Sequence, residues 1–253
     1  READALRRSH ALQRDLLNRL SHELRTPLTA VQGFAESLLQ ADVSWDESSQ
    51  RRFLTAIAGE SERMRRLVGD LLDSAAISSG VLRLAADWCD LELVLRAAIA
   101  ITPGQVELSL PAALPKLWGD HDRLEQVFVN LLDNAARHAE TEEPVRVSVR
   151  LDPLEPGEAL TVSVRVADRG RGVPAEVAAR LFMPYARGPT GGAGLGLSIS
   201  RGVVEAHGGR LELGPSRVGA CFRVVLPVER DPADMGAATG TGAILAVEDG
   251  AHG

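Results

Sequence analysis

The chain has 253 residues, a net charge of −7, 45% hydrophobic and 25% charged side chains. This composition excludes a disordered or fibrous protein, and the length allows one large domain or two of ordinary size. An acidic balance with no basic block argues against a nucleic-acid partner gripped by phosphate neutralisation.

The first third is predicted to be helical. Leu17, Leu20, Leu24, Leu28, Val31, Ala35 and Leu38 recur at spacings of three and four, one apolar stripe along a helix. Pro27 removes a backbone donor from that helix, so a kink or local strain is expected there. Residues 41–49 carry loop chemistry in Asp42, Ser44, Asp46, Ser48 and Ser49. A second stripe runs through Phe53, Ile57, Met64, Leu67, Leu71 and Ala75 and stops at Ser78-Ser79-Gly80. Two such helices make an antiparallel hairpin with apolar surface left over. Pairing with a second copy into a four-helix bundle buries that surface, and packing on the rest of the chain is the alternative.

Beyond residue 80 the pattern changes. β-like runs are predicted at Val106–Leu110, Val145–Leu151, Leu160–Ala167, Arg210–Leu213 and Cys221–Val225. Helical stretches alternate with them at Leu91–Ile101, Asp122–His138, Ala175–Leu181 and Leu195–Ala206. Asp120 is placed to cap the second of these helices, and Gly208-Gly209 to end the last. The mixture predicts an α/β sandwich, one sheet covered by helices. Residues 231–242 read as a linker rich in Gly, Ala and Thr. Two cysteines, Cys89 and Cys221, are too few for a disulfide framework, so a reducing compartment is expected. The apolar runs fall short of the roughly 20 residues that span a bilayer, and no signal peptide is visible.

Four groups of residues carry candidate chemistry. His22 lies about 200° around the helix from both Leu20 and Leu24, so it points away from the stripe. A neutral imidazole is a nucleophile, and the adjacent Glu23 is a base able to take its proton. Asn130 and Asn134 share a face of an otherwise apolar helix, where an amide oxygen suits Mg²⁺. Asp168 ends an apolar strand before Gly170 and Gly172, a carboxylate able to accept a bond from an exocyclic amine beside backbone that a flat ring can approach. Gly191 to Leu197 is a glycine-rich run opening a helix, a setting suited to phosphate oxygens.

Taken in order, these strings resemble the sensor histidine kinase family. Leu20-Ser21-His22-Glu23-Leu24-Arg25-Thr26-Pro27-Leu28 is similar to its H box and Asn130-Leu131-Leu132-Asp133-Asn134-Ala135 to its N box. Asp168-Arg169-Gly170-Arg171-Gly172 and Gly192-Ala193-Gly194-Leu195-Gly196-Leu197 resemble the G1 and G2 boxes, with an F-box-like Phe182-Met183-Pro184-Tyr185-Ala186-Arg187-Gly188 between them. The resemblance implies an α+β chain. Residues 1–80 would form a dimerisation and phosphotransfer hairpin, and 81–230 an ATP-binding α/β sandwich of the gyrase, Hsp90 and MutL type. His22 would be the phospho-acceptor and Glu23 its base, with Thr26 positioning water for dephosphorylation of a partner. Asn134 would ligate Mg²⁺, helped by Asn130, with Arg137 and His138 near the phosphates. Asp168, Gly170 and Gly172 would form the adenine pocket; Gly192, Gly194, Leu195 and Gly196 the phosphate loop; and Arg187 a charge contact. Implied partners are ATP, Mg²⁺, a second copy of the chain and the receiver domain of a response regulator. A cytoplasmic location is implied, with membrane attachment only through a region upstream of Arg1, where the sequence reads as a fragment.

Two features depart from the family pattern: Arg137 stands where many relatives carry lysine, and the segment between Gly188 and Gly192 is short for a nucleotide lid. The second leaves a catalytically degenerate nucleotide-binding scaffold as the alternative reading. Residues 243–249 resemble the first strand of a receiver domain.

Overall fold

The chain opens with α1 (Glu2–Leu39) and α2 (Glu47–Ser78), which pack side by side as the predicted hairpin. The computed structural model describes residues 2–40, 42–138, 143–152, 160–184 and 194–228, the first nineteen of these by backbone alone. Helix α1 continues through Pro27, which is buried. The proline withholds the N–H that would reach the Glu23 carbonyl, while the Thr26 hydroxyl donates to the His22 carbonyl at 3.2 Å.

The tip of the hairpin is an aromatic clasp. Trp45 meets Phe53 edge-on at 4.9 Å, Phe53 meets Phe34 at 5.8 Å, and the indole N–H of Trp45 donates to the Ser37 carbonyl at 2.8 Å. Helix α2 begins inside the predicted loop because Asp46 caps it, accepting from the Ser49 N–H at 2.7 Å. The Ser48 hydroxyl and that amide hold the Asp46 carboxyl below its ordinary pKa. At the other end Val81 donates to the Ala76 carbonyl and Gly80 to Ile77, a Schellman closure.

Two short strands unforeseen in the sequence, β1 (Asp87–Cys89) and β3 (Leu117–Gly119), pair antiparallel. Each is three residues long, too short for an alternation signal. The main sheet has the order β2 (Val106–Ser109), β4 (Val145–Asp152), β5 (Thr161–Ala167), β7 (Cys221–Pro227) and β6 (Arg210–Leu213). Among the described residues only the β2–β4 pair is parallel. Alternation orients it: Val147 opposes Val166, Val149 opposes Val164, and Val164 opposes Val224, all buried. Ser148, Arg165 and Arg223 fall on the opposite face, where Arg223 pairs with Asp152 at 2.8 Å.

Helices α3 (Leu91–Ile101), α4 (His121–His138) and α6 (Gly196–Ala206) cover the apolar face. Leu124, Val127, Phe128, Leu131 and Leu132 of α4 are at most 1% exposed. Each such side chain contributes roughly 1.5–3 kcal/mol by leaving water. Asp120 accepts from the Arg123 N–H, as expected of a cap, and also from the Ala85 N–H at 2.8 Å. The stretch predicted as helix over 175–181 is helical only at α5 (Ala175–Ala178), then turns. The possible linker and receiver-like stretch, residues 231–253, lies outside the described residues.

Candidate functional site

Helix α4 buries one face and presents the other to a cavity of about 1700 Å³ between the hairpin and the α/β unit. Asn130 and Asn134, four residues apart, both line it. The Asn130 amide nitrogen is buried with no hydrogen-bond partner, a costly state unless a ligand supplies an acceptor. Arg137 and His138 also line the cavity, with the Arg137 guanidinium held by Asp133 at 3.2 Å.

Asp168 emerges at the end of β5 and is 4% exposed. Its N–H donates to the Ala220 carbonyl at 3.0 Å, carrying the β5–β7 ladder one step further. Its Oδ1 accepts from the Gly170 N–H at 2.8 Å and the Ala220 N–H at 3.0 Å, while Oδ2 is buried without a partner. The carboxylate is thus pinned by one oxygen, and the other is left for a donor in the cavity that Asp168 lines. Two glycines permit this. A Cβ on Gly170 would collide with the His138 carbonyl oxygen, and one on Gly219, whose φ is +71°, with the Asp168 carbonyl. Gly172, Val173, Leu181 and Phe222 add to the wall beside Asp168.

Gly194, Leu195 and Gly196 bring the chain into α6. Leu195 makes no side-chain cap bond there, and the amides of a helix N-terminus suit an anion. A Cβ on Gly196 would lie 3.5 Å from the Asn130 amide carbon, so the glycine loop and the asparagine helix meet at one point. The phosphate-loop residue Gly192 and the charge candidate Arg187 lie outside the described residues.

The hairpin forms the opposite wall. His22 and Thr26 are exposed, Glu23 is half-buried, and all three line the same cavity. The imidazole is exposed as the stripe predicted, but the stripe itself is only partly covered: Leu24 is half-buried and Leu28 is 44% exposed. Sequence reasoning missed a group at the base of α2. Asp73, 8% exposed, accepts from the Arg123 guanidinium at 2.6 Å and from the Gln126 amide at 3.1 Å, tying α2 to the first turns of α4. One turn on, Ile77 packs so tightly on Gly202 of α6 that a Cβ there would lie 2.6 Å from its Cγ2. Nothing local in the sequence marks Asp73, since a carboxylate in a solvated helix is ordinary until another domain covers it.

Asp70 also faces the cavity, and burial, aided by the Asp73 charge and opposed by Arg66, pushes its pKa up from 3.8 to about 6. A raised carboxylate stabilises the folded arrangement below its ordinary pKa and loses that contribution as pH rises through about 6. Asp70→Asn should therefore melt higher than the parent by a margin that widens from about pH 4 to about pH 7. Melting curves across that range check it, and a constant margin contradicts it.

Comparison with known proteins follows the same division. The family model for the His Kinase A (phospho-acceptor) domain matches residues 12–80. The model for histidine kinase-, DNA gyrase B- and HSP90-like ATPases matches residues 119–230. The chain is 37% identical over 226 residues to the sensor protein KdpD of Escherichia coli, covering 86% of this chain and 24% of that one. It thus spans about a quarter of the length of that relative and of KdpD from Mycobacterium tuberculosis, to which it is 35% identical over 83% of its own length. Among solved structures, full-length ShkA in complex with AMPPNP superposes with a TM-score of 0.61 at 26% identity, covering 86% of this chain and 46% of that one. A phospho-acceptor hairpin and an ATPase-type sandwich, joined on one chain and facing each other across one cavity, identify it as a member of the sensor histidine kinase family of two-component systems.

Proposed function

We propose that this chain uses ATP to phosphorylate His22 and then passes the phosphoryl group to an aspartate on a response-regulator receiver domain. The observation that carries this reading is the shared cavity, with a histidine on one wall and two orphaned buried polar atoms, Asp168 Oδ2 and Asn130 Nδ2, on the other. Asp168 Oδ2 would accept from the adenine amine. The glycine loop at 194–196 and the α6 N-terminus would hold phosphates, with Asn130 donating to their oxygens. AMPPNP in the ShkA complex is consistent with an adenine nucleotide as the ligand of this fold.

Asn134 offers the amide oxygen for Mg²⁺, with Asn130 beside it. The metal, when bound, neutralises phosphate charge. The chain's own residues do the rest. Asp168 and the glycines orient the nucleotide, and phosphoryl transfer depends mainly on such positioning. The His22 ring attacks phosphorus with one nitrogen while Glu23 takes the proton from the other. Thr26 stands one turn beyond His22 on the cavity side, the place from which its hydroxyl would orient water for phosphatase action on the regulator. Arg137 and His138 complete the charged rim.

Functional boundaries follow this division: a phosphotransfer hairpin over 1–80, a catalytic domain over 81–230, and a linker or receiver start over 231–253. Leu28, Leu54 and Val68 of the hairpin are 44–58% exposed, an apolar surface that suits a second copy in a homodimer. No helix among the described residues is long and apolar enough to cross a membrane. We place the chain's work in the cytoplasm, where ATP and the regulator are found.

Labelling with γ-phosphate-labelled ATP tests the reading. The parent should gain an acid-labile, base-stable phosphate. His22→Gln should gain none, while Asn134→Asp should fall at least about 100-fold through loss of the metal-dependent charge stabilisation. Label surviving in His22→Gln removes it as the acceptor, and nucleotide binding without label in the parent indicates a degenerate scaffold.

A further inference from the structure

Helices α4 and α6 form the phosphate side of the nucleotide wall, and they touch at both ends. At one end the Gly196 backbone of α6 lies against the Asn130 side chain of α4, where a Cβ would be 3.5 Å from the amide carbon. At the other end His207, at the C-terminus of α6, meets Asp120 at the head of α4, whose backbone N–H donates to His207 Nε2 at 2.9 Å. The helices therefore run antiparallel, with the two contacts about 15 Å apart.

The partners of the His207 ring fix where its proton sits. Nδ1 lies 2.8 Å from the Val203 carbonyl, which only accepts, while Nε2 faces an amide that only donates. The proton is thus on Nδ1, and Nε2 presents its lone pair. The seat is close-fitting: a Cβ on Gly119 would lie 3.0 Å from ring Cδ2 and 3.2 Å from Leu124 Cδ1. Asp120 is itself a junction. Its carboxylate, in a residue 8% exposed, accepts from the Arg123 N–H through Oδ1 and from the Ala85 N–H through Oδ2.

Between these ends, Phe128 and Leu131 of α4 and Ile199 and Val203 of α6 belong to one buried core. Apolar burial is non-directional, so it draws the helices together without setting how far one slides along the other. A hydrogen bond is directional. Ser200, midway along α6, supplies none, since its buried hydroxyl has no partner among the described residues.

We infer that His207 is a positioning residue for nucleotide binding: its bond to the Asp120 N–H sets the sliding register of α6 on α4, and with it the distance from the glycine loop at 194–196 to Asn130. The inference rests on the reading of that loop as the phosphate site. His207 does not line the cavity and touches no nucleotide. It aligns donors carried on two different helices, and a misplacement of about 1 Å in such an arrangement can cost roughly 100-fold. The base side is held differently, because Asp168 is pinned by the Gly170 and Ala220 amides at the end of β5 and β7. Phosphate holding and base reading should therefore respond separately to a change at His207.

Calorimetric titration of the full chain with ADP in the presence of Mg²⁺, and with adenosine, tests this. The parent should bind ADP more tightly than adenosine. His207→Ala should lose about tenfold in ADP affinity while its adenosine affinity stays within about twofold of the parent. His207→Gln brings an amide oxygen near the position of Nε2, where it can accept from Asp120, and should restore ADP affinity to within about threefold. His207→Asn reaches only the Val203 carbonyl and should behave like His207→Ala. Should His207→Ala fail to fold, the contrast between His207→Gln and His207→Asn decides. Unchanged ADP affinity in His207→Asn, equal losses for ADP and adenosine, or recovery in His207→Asn but not in His207→Gln would each overturn the inference. A parent that binds adenosine and ADP equally well would instead sink the phosphate-site reading beneath it.

Discussion

Asp168→Asn should weaken ATP binding by about 10- to 100-fold while leaving the fold intact. The parent carboxylate spends Oδ1 on the Gly170 and Ala220 amides and keeps Oδ2 buried and unpartnered. In the variant the amide oxygen takes over the two backbone donors, because turning the amide the other way would set a donor against donors. Its NH₂ then points where the adenine amine must donate. A hydrogen bond to a charged group contributes roughly 1.5–3 kcal/mol, and that is the size of the loss. The same substitution should narrow the preference for ATP over GTP, since guanine presents a carbonyl oxygen that an amide can donate to. Titration with fluorescent nucleotides, alongside a melting curve to check the fold, measures both. Unchanged ATP affinity would mean that Asp168 does not read the base.

Gly219→Ala should be the most damaging single methyl in the catalytic domain. At φ +71° an alanine costs about 1–2 kcal/mol in backbone conformation alone. The added Cβ would also meet the Asp168 carbonyl oxygen, and β5 and β7 cannot separate there without breaking the Asp168–Ala220 pair. A total loss of about 3 kcal/mol or more is expected, which lowers the melting temperature by roughly 6–12 °C for a protein of this size. Nucleotide affinity should fall with it, because the same backbone aims Asp168. Calorimetry on the variant decides the point, and a drop under about 2 °C would show that the β5–β7 end relaxes freely.

The two predictions rest on different kinds of information. That Asp168 ends a strand before two glycines is visible in Asp168-Arg169-Gly170-Arg171-Gly172, because strand alternation and turn composition are local. That Gly219 belongs to the same site is not. It lies about fifty residues further on and meets Asp168 only because β7 pairs with β5. The asparagine pair was legible for a similar reason: a four-residue spacing is a one-turn relation, so Asn130 and Asn134 share a face whatever surrounds them.

The sequence alone determined the hairpin, the outward direction of His22, the α/β character of the remainder and the order of its boxes. All of these follow from periodicities of two and 3.6 residues and from motifs that are continuous along the chain. It passed over the three-residue strands β1 and β3, which are too short for either period to register, and it ran α5 three residues too far. Tertiary structure decided what depends on distant backbone: which oxygen of Asp168 stays open, that Asp73 is buried under Arg123 and Gln126, and that His22 shares a cavity with Asn134 of its own chain. Burial and electrostatic pairing belong to surfaces that meet only on folding, so a carboxylate such as Asp73 carries no local mark of the partner that will cover it.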